Sequence, residues 1–386
     1  MRNYPFSAII GQEKFKTAYL ANIVNPDIGG LLVTGVKGTG KSTIVRSVES
    51  ILPELTVVKE CLFNCDPGTR EKLCTFCMEK NILETTSKQM KIVNLPLSCS
   101  EDRLIGSIEI ERLLKEGKKQ IQVGVLGEAN RNILYIDEVN LLPDHIVDDI
   151  LDAAALHWNT VEREGFSISH PAEFVLVGSM NPEEGELRPQ ILDRFPLSVH
   201  VNSIMNAELR IEIVKRNIVF SKNPEAFYEL FKEEDDVLRQ SISNAREILP
   251  DVVISPSHLR VISTSCSDLK VDGQRPDIII VKTSQTIAAL DGRKTIREED
   301  IVLSGILTMM HRTRDGGLLE PPREDEIIKT FKRNFKELQS GSFEQPVKFS
   351  INSINKKVDN FIQISSEFDD DDTSNPIERK KNKNLT

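Results

Sequence analysis

Two short stretches carry residue types at spacings that could do phosphate chemistry. "GVKGTGKST" (35–43) fits G-x-x-x-x-G-K-[ST] through Gly35, Gly40, Lys41 and Ser42. Glycines in such a loop let backbone N–H groups turn inward around phosphates. Lys41 would place a point charge on the β- and γ-phosphates, Ser42 would offer a hydroxyl to Mg²⁺, and the following helix N-terminus would add partial positive charge. Val36, Lys37, Gly38, Thr39 and Thr43 belong to the same cradle. "ILYIDEVN" (133–140) releases Asp137 and Glu138 at the end of an apolar run. Asp137 would hold Mg²⁺ and Glu138 would polarise an attacking water. Taken alone, the two acids are equally suited to cap the next helix, which starts near Pro143; the loop upstream tips the reading toward chemistry.

A third constellation, "CLFNCDPGTREKLCTFC" (61–77), spaces four of six cysteines as C-x3-C-x8-C-x2-C. "DPGTR" supplies a turn that could fold Cys61 and Cys65 onto Cys74 and Cys77. Four thiolates suit Zn²⁺ or an iron–sulfur cluster, and unligated or redox-active thiols are the remaining reading. Cys99 and Cys266 stand apart and read as buried small apolar residues.

Positioning these groups needs strands and helices in alternation. "GLLVTG" (30–35), "NILYID" (132–137) and "EFVLVG" (173–178) read as buried strands followed by turns or helix starts. That pattern predicts a parallel sheet covered by helices. Asn181, at the end of the third run, could orient a water between the two nucleotide motifs, or simply make an Asn-Pro turn. "GELRPQILDRF" (185–195) brings Arg188 and Arg194, either reaching a neighbouring subunit's γ-phosphate or pairing with Glu186 or Asp193. From Ala207 onward, four segments and then Arg297 to Met310 carry helical spacing, with Ser255 as N-cap before Pro256. A Gly/Pro break after Arg314 precedes a helix candidate around Glu326 to Leu338, and the acidic-then-basic end reads as solvated tail.

Composition excludes other classes. Of 386 residues 28% are charged, and the net charge is −10, so no large basic footprint marks nucleic acid as a partner. Aromatics are only 5%, too few for a base-stacking platform. Apolar runs are too short to span a bilayer, and the first residues show no continuous apolar signal region. The protein is expected in the cytoplasm, where clustered cysteines favour metal binding or catalysis over disulfides.

Together these motifs resemble the AAA+ ATPases, and specifically the small ATPase subunit (subunit I) of magnesium chelatase, over about residues 4 to 315. "YPFSAIIGQE" looks like that family's adenine-contacting box, centred on Ile10, Gly11 and Gln12. "VNLPLSCSEDRLIGSIEIERLL" (93–114) is similar to the family insertion before the Asp-Glu strand, and "GQRPD" resembles the lid segment with a sensor arginine. The resemblance implies an α/β AAA+ P-loop core at 1–203, with residues 59–126 as cysteine-rich segment and insert. It implies an all-helical lid at 204–315, leaving 316–386 as an extension. It further implies ATP and Mg²⁺ at the motifs above, Asn181 as first sensor, Arg194 as the finger acting on the adjacent subunit, and Arg275 as second sensor from the lid of its own or a neighbouring subunit.

Implied partners are a ring hexamer of itself, a second AAA+ subunit with an integrin-like domain, and a large catalytic subunit that inserts Mg²⁺, or Co²⁺ in a cobalt chelatase, into a tetrapyrrole. Nothing in this chain resembles a direct porphyrin site; its six histidines are scattered. The competing class is an AAA+ remodelling ATPase of MoxR-like or helicase-related type, for which basic pore-facing hairpin tips would be expected.

Overall fold

The computed structural model describes residues 3–108, 121–163, 166–185 and 187–340. After α1 (Glu13–Val24), strand β1 (Leu31–Thr34) runs into the phosphate loop and α2 (Lys41–Ser47). Next come β2 (Glu54–Val58), the short α3 (Thr75–Met78), β3 (Thr85–Gln89), β4 (Ile92–Leu95), α4 (Glu101–Ile105), β5 (Gly106–Ile108) and β6 (Ile121–Val123). The chain continues through α5 (Val125–Ala129), β7 (Ile133–Ile136), α6 (Asp144–Leu156), β8 (Trp158–Arg163), β9 (Phe166–Pro171), β10 (Val175–Met180), α7 (Pro189–Arg194) and β11 (Leu197–His200).

The central sheet has five strands in the order β11-β1-β10-β7-β4, and every pairing is parallel. β7 is buried throughout, as is β10. Their unbroken apolar runs follow from helices covering both faces. Among the described residues, β2–β3, β5–β6 and β8–β9 form separate antiparallel pairs.

One expectation needs correction. The 93–114 stretch is not wholly an insertion, because its first residues belong to β4, which pairs with β7 in the main sheet. In "IVNL" the exposed Asn94 interrupts the buried Ile92, Val93 and Leu95, a weaker sequence signal than an unbroken apolar run. Residues 109–114 of that stretch, and residues 164–165 of "EREGFSISH", one of the two stretches weighed against the helicase alternative, lie outside the described residues.

The helical region follows: α8 (Ala207–Lys222), α9 (Pro224–Ile248), α10 (Pro256–Asp268), α11 (Arg275–Leu290), α12 (Glu298–Met309) and α13 (Glu324–Ser340). Ser255 Oγ accepts from His258 N at 3.1 Å with Pro256 opening α10, as its sequence predicts. Arg297 caps α12 rather than joining it. α11 supplies Ile279 and Ile280, α12 Ile301 and Leu307, and α13 Phe331, all buried. Gly305 on α12 permits the approach of α13: a Cβ there would meet Phe331 Cε2 at 2.7 Å. The tail beyond residue 340 lies outside the described residues.

Candidate functional site

The phosphate-loop, Asp-Glu and Asn181 motifs emerge at the carboxyl ends of adjacent parallel strands, the usual place for ligands in such sheets. The phosphate loop follows β1, Asp137 and Glu138 follow β7, and Asn181 follows β10. A cleft of about 330 Å³ is lined by residues 37–43, Asp137, Glu138, Ser179 and Asn181. Gly38 and Gly40 both take φ of 83°, and nothing lies within 4 Å of where a Cβ would stand. Their left-handed backbone turns the loop, and the space in front of them is open. Lys41 Nζ donates to the carbonyls of Gly35 and Val36. Partial burial lowers its pKa, against the upward pull of Asp137, Glu184 and Glu138.

The acids are held by hydroxyls. Ser42 Oγ lies 3.5 and 3.4 Å from the two oxygens of Asp137. Tyr135 Oη donates to Asp137 Oδ1 at 2.8 Å, and Ser179 Oγ donates to the same oxygen at 2.6 Å. Burial pushes the Tyr135 phenol up to about 12, which keeps it a donor. This set of hard oxygens, a carboxylate beside a serine hydroxyl, fits Mg²⁺.

Glu138 has φ 59° and ψ 56°, a left-handed conformation uncommon for a side-chain-bearing residue, and its N–H donates to Ser179 Oγ at 3.2 Å. Neither acid caps the α6 helix; Pro143 occupies that position. Asn181 makes the Asn-Pro turn, accepting from Glu183 N at 3.3 Å, and lines the cleft as well.

An adjoining cleft of about 410 Å³ shares Gly38, Thr39, Gly40 and Thr43 and runs back between the N-terminal box and α8. Ile10 and Gln12 line it, together with Tyr4, Ile9, Ile204, Ile213 and Val214. Gly11 does not line it but turns the chain, at φ 69°. Gln12 ties this turn to the end of β11 by donating to Asn202 O at 2.9 Å. An apolar slot opening onto a phosphate loop suits a purine base.

The arginines lie apart from both clefts. Arg194 bonds Asp148 at 3.2 Å and Asp152 at 2.9 Å, and Arg188 pairs with Asp144. Asp193 is not the partner of either; it accepts from Thr313 Oγ1 at 3.1 Å. Glu186 lies outside the described residues. Arg275 opens α11, where burial lowers its pKa, the charge of Arg194 lowers it further and Asp193 opposes. Arg194 and Arg275 therefore share one neighbourhood.

Sequence reasoning missed Tyr135, Ser179 and the α8 residues. The signal for Tyr135 was present: at two residues before Asp137 in a strand it faces the same side.

The four cysteines do come together. Their sulfurs all lie within 4.8 Å of one another and all four residues are buried. Cys99 and Cys266 are buried elsewhere, as expected.

The sheet order and the loops at its carboxyl edge, with the helical region behind, define an AAA+ P-loop ATPase fold. A family profile described as "Magnesium chelatase, subunit ChlI" matches residues 5–191, and an "AAA lid domain" profile matches 259–331. The chain is 50% identical over 337 residues to the magnesium-chelatase subunit ChlI homolog of Methanocaldococcus jannaschii, covering 86% of this chain and 92% of that protein. It is 44% identical to subunit ChlI of Synechocystis (86% and 94% covered) and 46% identical to the chloroplastic ChlI of Glycine max (84% and 80%).

Among solved structures, a magnesium-chelatase BchI–BchD complex aligns with a TM-score of 0.49 at 40% identity, covering 86% of this chain and all of that one. A Cytophaga hutchinsonii protein described as a putative ATPase aligns at 0.55 and 16%, covering 85% and 91%. The chain belongs to the magnesium chelatase subunit ChlI family. No helix among the described residues is long and apolar enough to cross a membrane.

Proposed function

We propose that this chain binds ATP with Mg²⁺ and hydrolyses it as the motor subunit of a magnesium chelatase. The observation that carries this reading is the meeting of Ser42 with Asp137 at 3.4 Å in a cleft that also holds Lys41 and Glu138. Mg²⁺, when bound, neutralises phosphate charge as it develops. Ser42 and Asp137 would hold it. Lys41, freed from the carbonyls it now bonds, would reach the β- and γ-phosphates, while residues 35–40 and Thr43 cradle them. Glu138 would orient and deprotonate the attacking water, and Asn181 would align that water from the neighbouring strand. Ile10 and Gln12 would contact the base, with Gly11 shaping the turn between them.

Arg194 and Arg275 line neither cleft of their own chain. This supports roles across a subunit boundary: Arg194 as finger and Arg275 as second sensor in a ring, with a hexamer as the arrangement. A second AAA+ subunit bearing an integrin-like domain and a large catalytic subunit complete the complex. We place the tetrapyrrole on that large subunit and no nucleic acid or membrane on this chain. The relatives named above are magnesium-chelatase subunits, which favours Mg²⁺ over Co²⁺ as the inserted metal and disfavours the MoxR-like and helicase-related alternatives. We place the chain in the cytoplasm, where clustered cysteines favour metal ligation over disulfides.

Nucleotide-binding and turnover assays test the reading. Lys41→Ala should lose ATP binding. Glu138→Gln should keep binding while turnover falls by roughly 10²-fold or more. Normal turnover in Glu138→Gln would refute its role, and ATPase stimulation by DNA would favour the helicase class instead.

A further inference from the structure

The cysteine quartet lies at the other end of the sheet from the nucleotide site. Phe63, inside the cysteine loop, accepts at its carbonyl from Asn130 Nδ2 at 2.6 Å, and Asn130 Oδ1 accepts from Glu173 N at 2.9 Å. Asn130 and Glu173 lie just ahead of β7 and β10. The loop is thus anchored where these strands begin, whereas Asp137 and Asn181 stand where they end. β7 alone separates the two ends by about 13 Å. The quartet takes no part in the phosphate chemistry.

Its geometry is that of a single-ion site. The turn at 66–68 is closed by Asp66 Oδ1 accepting from Gly68 N at 2.9 Å, and it folds the first cysteine pair onto the second. Cys61 and Cys74 sulfurs are 4.0 Å apart. A tetrahedral Zn²⁺ with Zn–S of about 2.3 Å has sulfur–sulfur edges of about 3.8 Å, so only small side-chain adjustments separate the present arrangement from that tetrahedron. A multinuclear iron–sulfur cluster must also house its own sulfides and needs the cysteines further apart. Backbone amides already point at two of the sulfurs: Phe63 N donates to Cys61 Sγ at 3.4 Å and Cys74 N to Cys65 Sγ at 3.1 Å. Such outer donors orient and support thiolate ligands.

The hydrocarbon core inside the loop is small. Its buried cluster consists of the four cysteines with Val58, Phe63, Leu73 and Ile168. Half of that buried cluster is cysteine, and only the partly buried Phe76, Leu83 and Val123 pack against it, a small hydrocarbon core for so irregular a segment. Yet the loop is built upon. Thr75 Oγ1 donates to Ser169 O and accepts from Ser169 N, each at 3.1 Å, and the Phe63 ring stacks on His170 at 4.3 Å. Both partners are on β9, in the hairpin that follows the Asp-Glu strand and α6.

We propose that Cys61, Cys65, Cys74 and Cys77 bind one Zn²⁺ in a tetrahedral tetrathiolate site, and that this ion sets the 61–77 loop as the platform on which the β8–β9 hairpin rests. Binding releases the four thiol protons to solvent and leaves a site of net charge −2. The inference does not depend on the nucleotide reading, since its ligands and its readouts are separate.

Protein purified without oxygen should carry about one zinc per chain by elemental mass spectrometry, titratable by a mercurial that displaces Zn²⁺ into an indicator dye. Cys77→Ser should lose it, Cys77→His should keep it on three thiolates and an imidazole, and Cys99→Ser should match the wild type. Co²⁺-substituted protein should show the visible bands of tetrahedral cobalt thiolate. Hydrogen exchange in residues 158–171 should speed up when zinc is displaced from the otherwise intact wild-type chain, which keeps the test independent of how any variant folds. Iron in place of zinc, four free thiols without metal, disulfides by intact mass, or zinc retained in Cys77→Ser would each overturn the site. Unchanged exchange in 158–171 after zinc release would overturn the platform.

Discussion

Ser179 Oγ stands 2.6 Å from Asp137 Oδ1 and 3.2 Å from the N–H of Glu138, donating to the first and accepting from the second. One fully buried hydroxyl on β10 thus fixes both acids at the end of β7, including the left-handed turn at Glu138. Such a conformation costs about 1–3 kcal/mol and persists only when its surroundings enforce it.

Ser179→Ala should therefore impair turnover while leaving nucleotide binding nearly intact. A hydrogen bond to a charged group is worth about 1.5–3 kcal/mol, so turnover should fall roughly 10- to 100-fold, with the apparent Mg²⁺ requirement raised. Steady-state ATPase rates across a Mg²⁺ titration measure this. Wild-type rates would mean that Tyr135 and Ser42 suffice to hold Asp137.

Arg194 bridges Asp148 and Asp152, which sit at i and i+4 on α6. These pairs are partly exposed and contribute little stability. Arg194→Ala should melt within a few degrees of wild type, bind ATP, and hydrolyse it poorly. Mixed with Lys41→Ala subunits it should recover part of the activity, because some boundaries then pair an intact cleft with an intact arginine. Recovery no better than either variant alone would count against a shared site.

His311 is buried, with Nε2 donating to Phe195 O at 2.8 Å and Nδ1 without a partner among the described residues. Burial, aided by the charge of Arg312, pushes its pKa down to about 3. The unfolded chain takes up this proton near pH 6.5 while the folded chain refuses it. The stability from neutral His311 is thus full above about pH 6.5 and drains as pH falls toward 3, by at most about 1.4 kcal/mol per unit. His311→Gln, which keeps a donor for Phe195, should give a flatter melting temperature between about pH 6.5 and 4; parallel curves would refute this.

Gly305 faces Phe331, with no room for a methyl group between α12 and α13. Gly305→Ala should cost about 1–3 kcal/mol through overpacking. Adding Phe331→Leu should recover much of the loss, a coupling that a thermal-denaturation double-mutant cycle would detect.

What the sequence made legible followed from local rules. The phosphate loop, the doubly covered strands β1, β7 and β10, and the Ser255 cap each carry their signal within a few residues. The edge strand β4 was less visible because one side of it lacks a neighbouring strand. Arg194 shows the other limit: Asp148 and Asp152 form a visible i, i+4 pair, but only the packing of α7 against α6 brings the arginine to them. Ser179 lies two residues before Asn181, on the same face of β10, yet nothing local says that β7 is its neighbour. For the cysteines, spacing suggested convergence, and the turn at 66–68 realises it.

The two donor sets sit at opposite ends of the same strands, oxygen at one and sulfur at the other. With Zn²⁺ on the proposed thiolate site and Mg²⁺ on the proposed nucleotide site, that separation would make the protein chemically selective without a gate. Zn²⁺ outranks Mg²⁺ for thiolate, while a carboxylate beside a hydroxyl and phosphates is ground on which Mg²⁺, far more abundant, competes well. On those two proposals the chain would keep a trace metal undisturbed through every round of nucleotide exchange, and thiol-directed reagents and changes in magnesium supply would act on it through different doors.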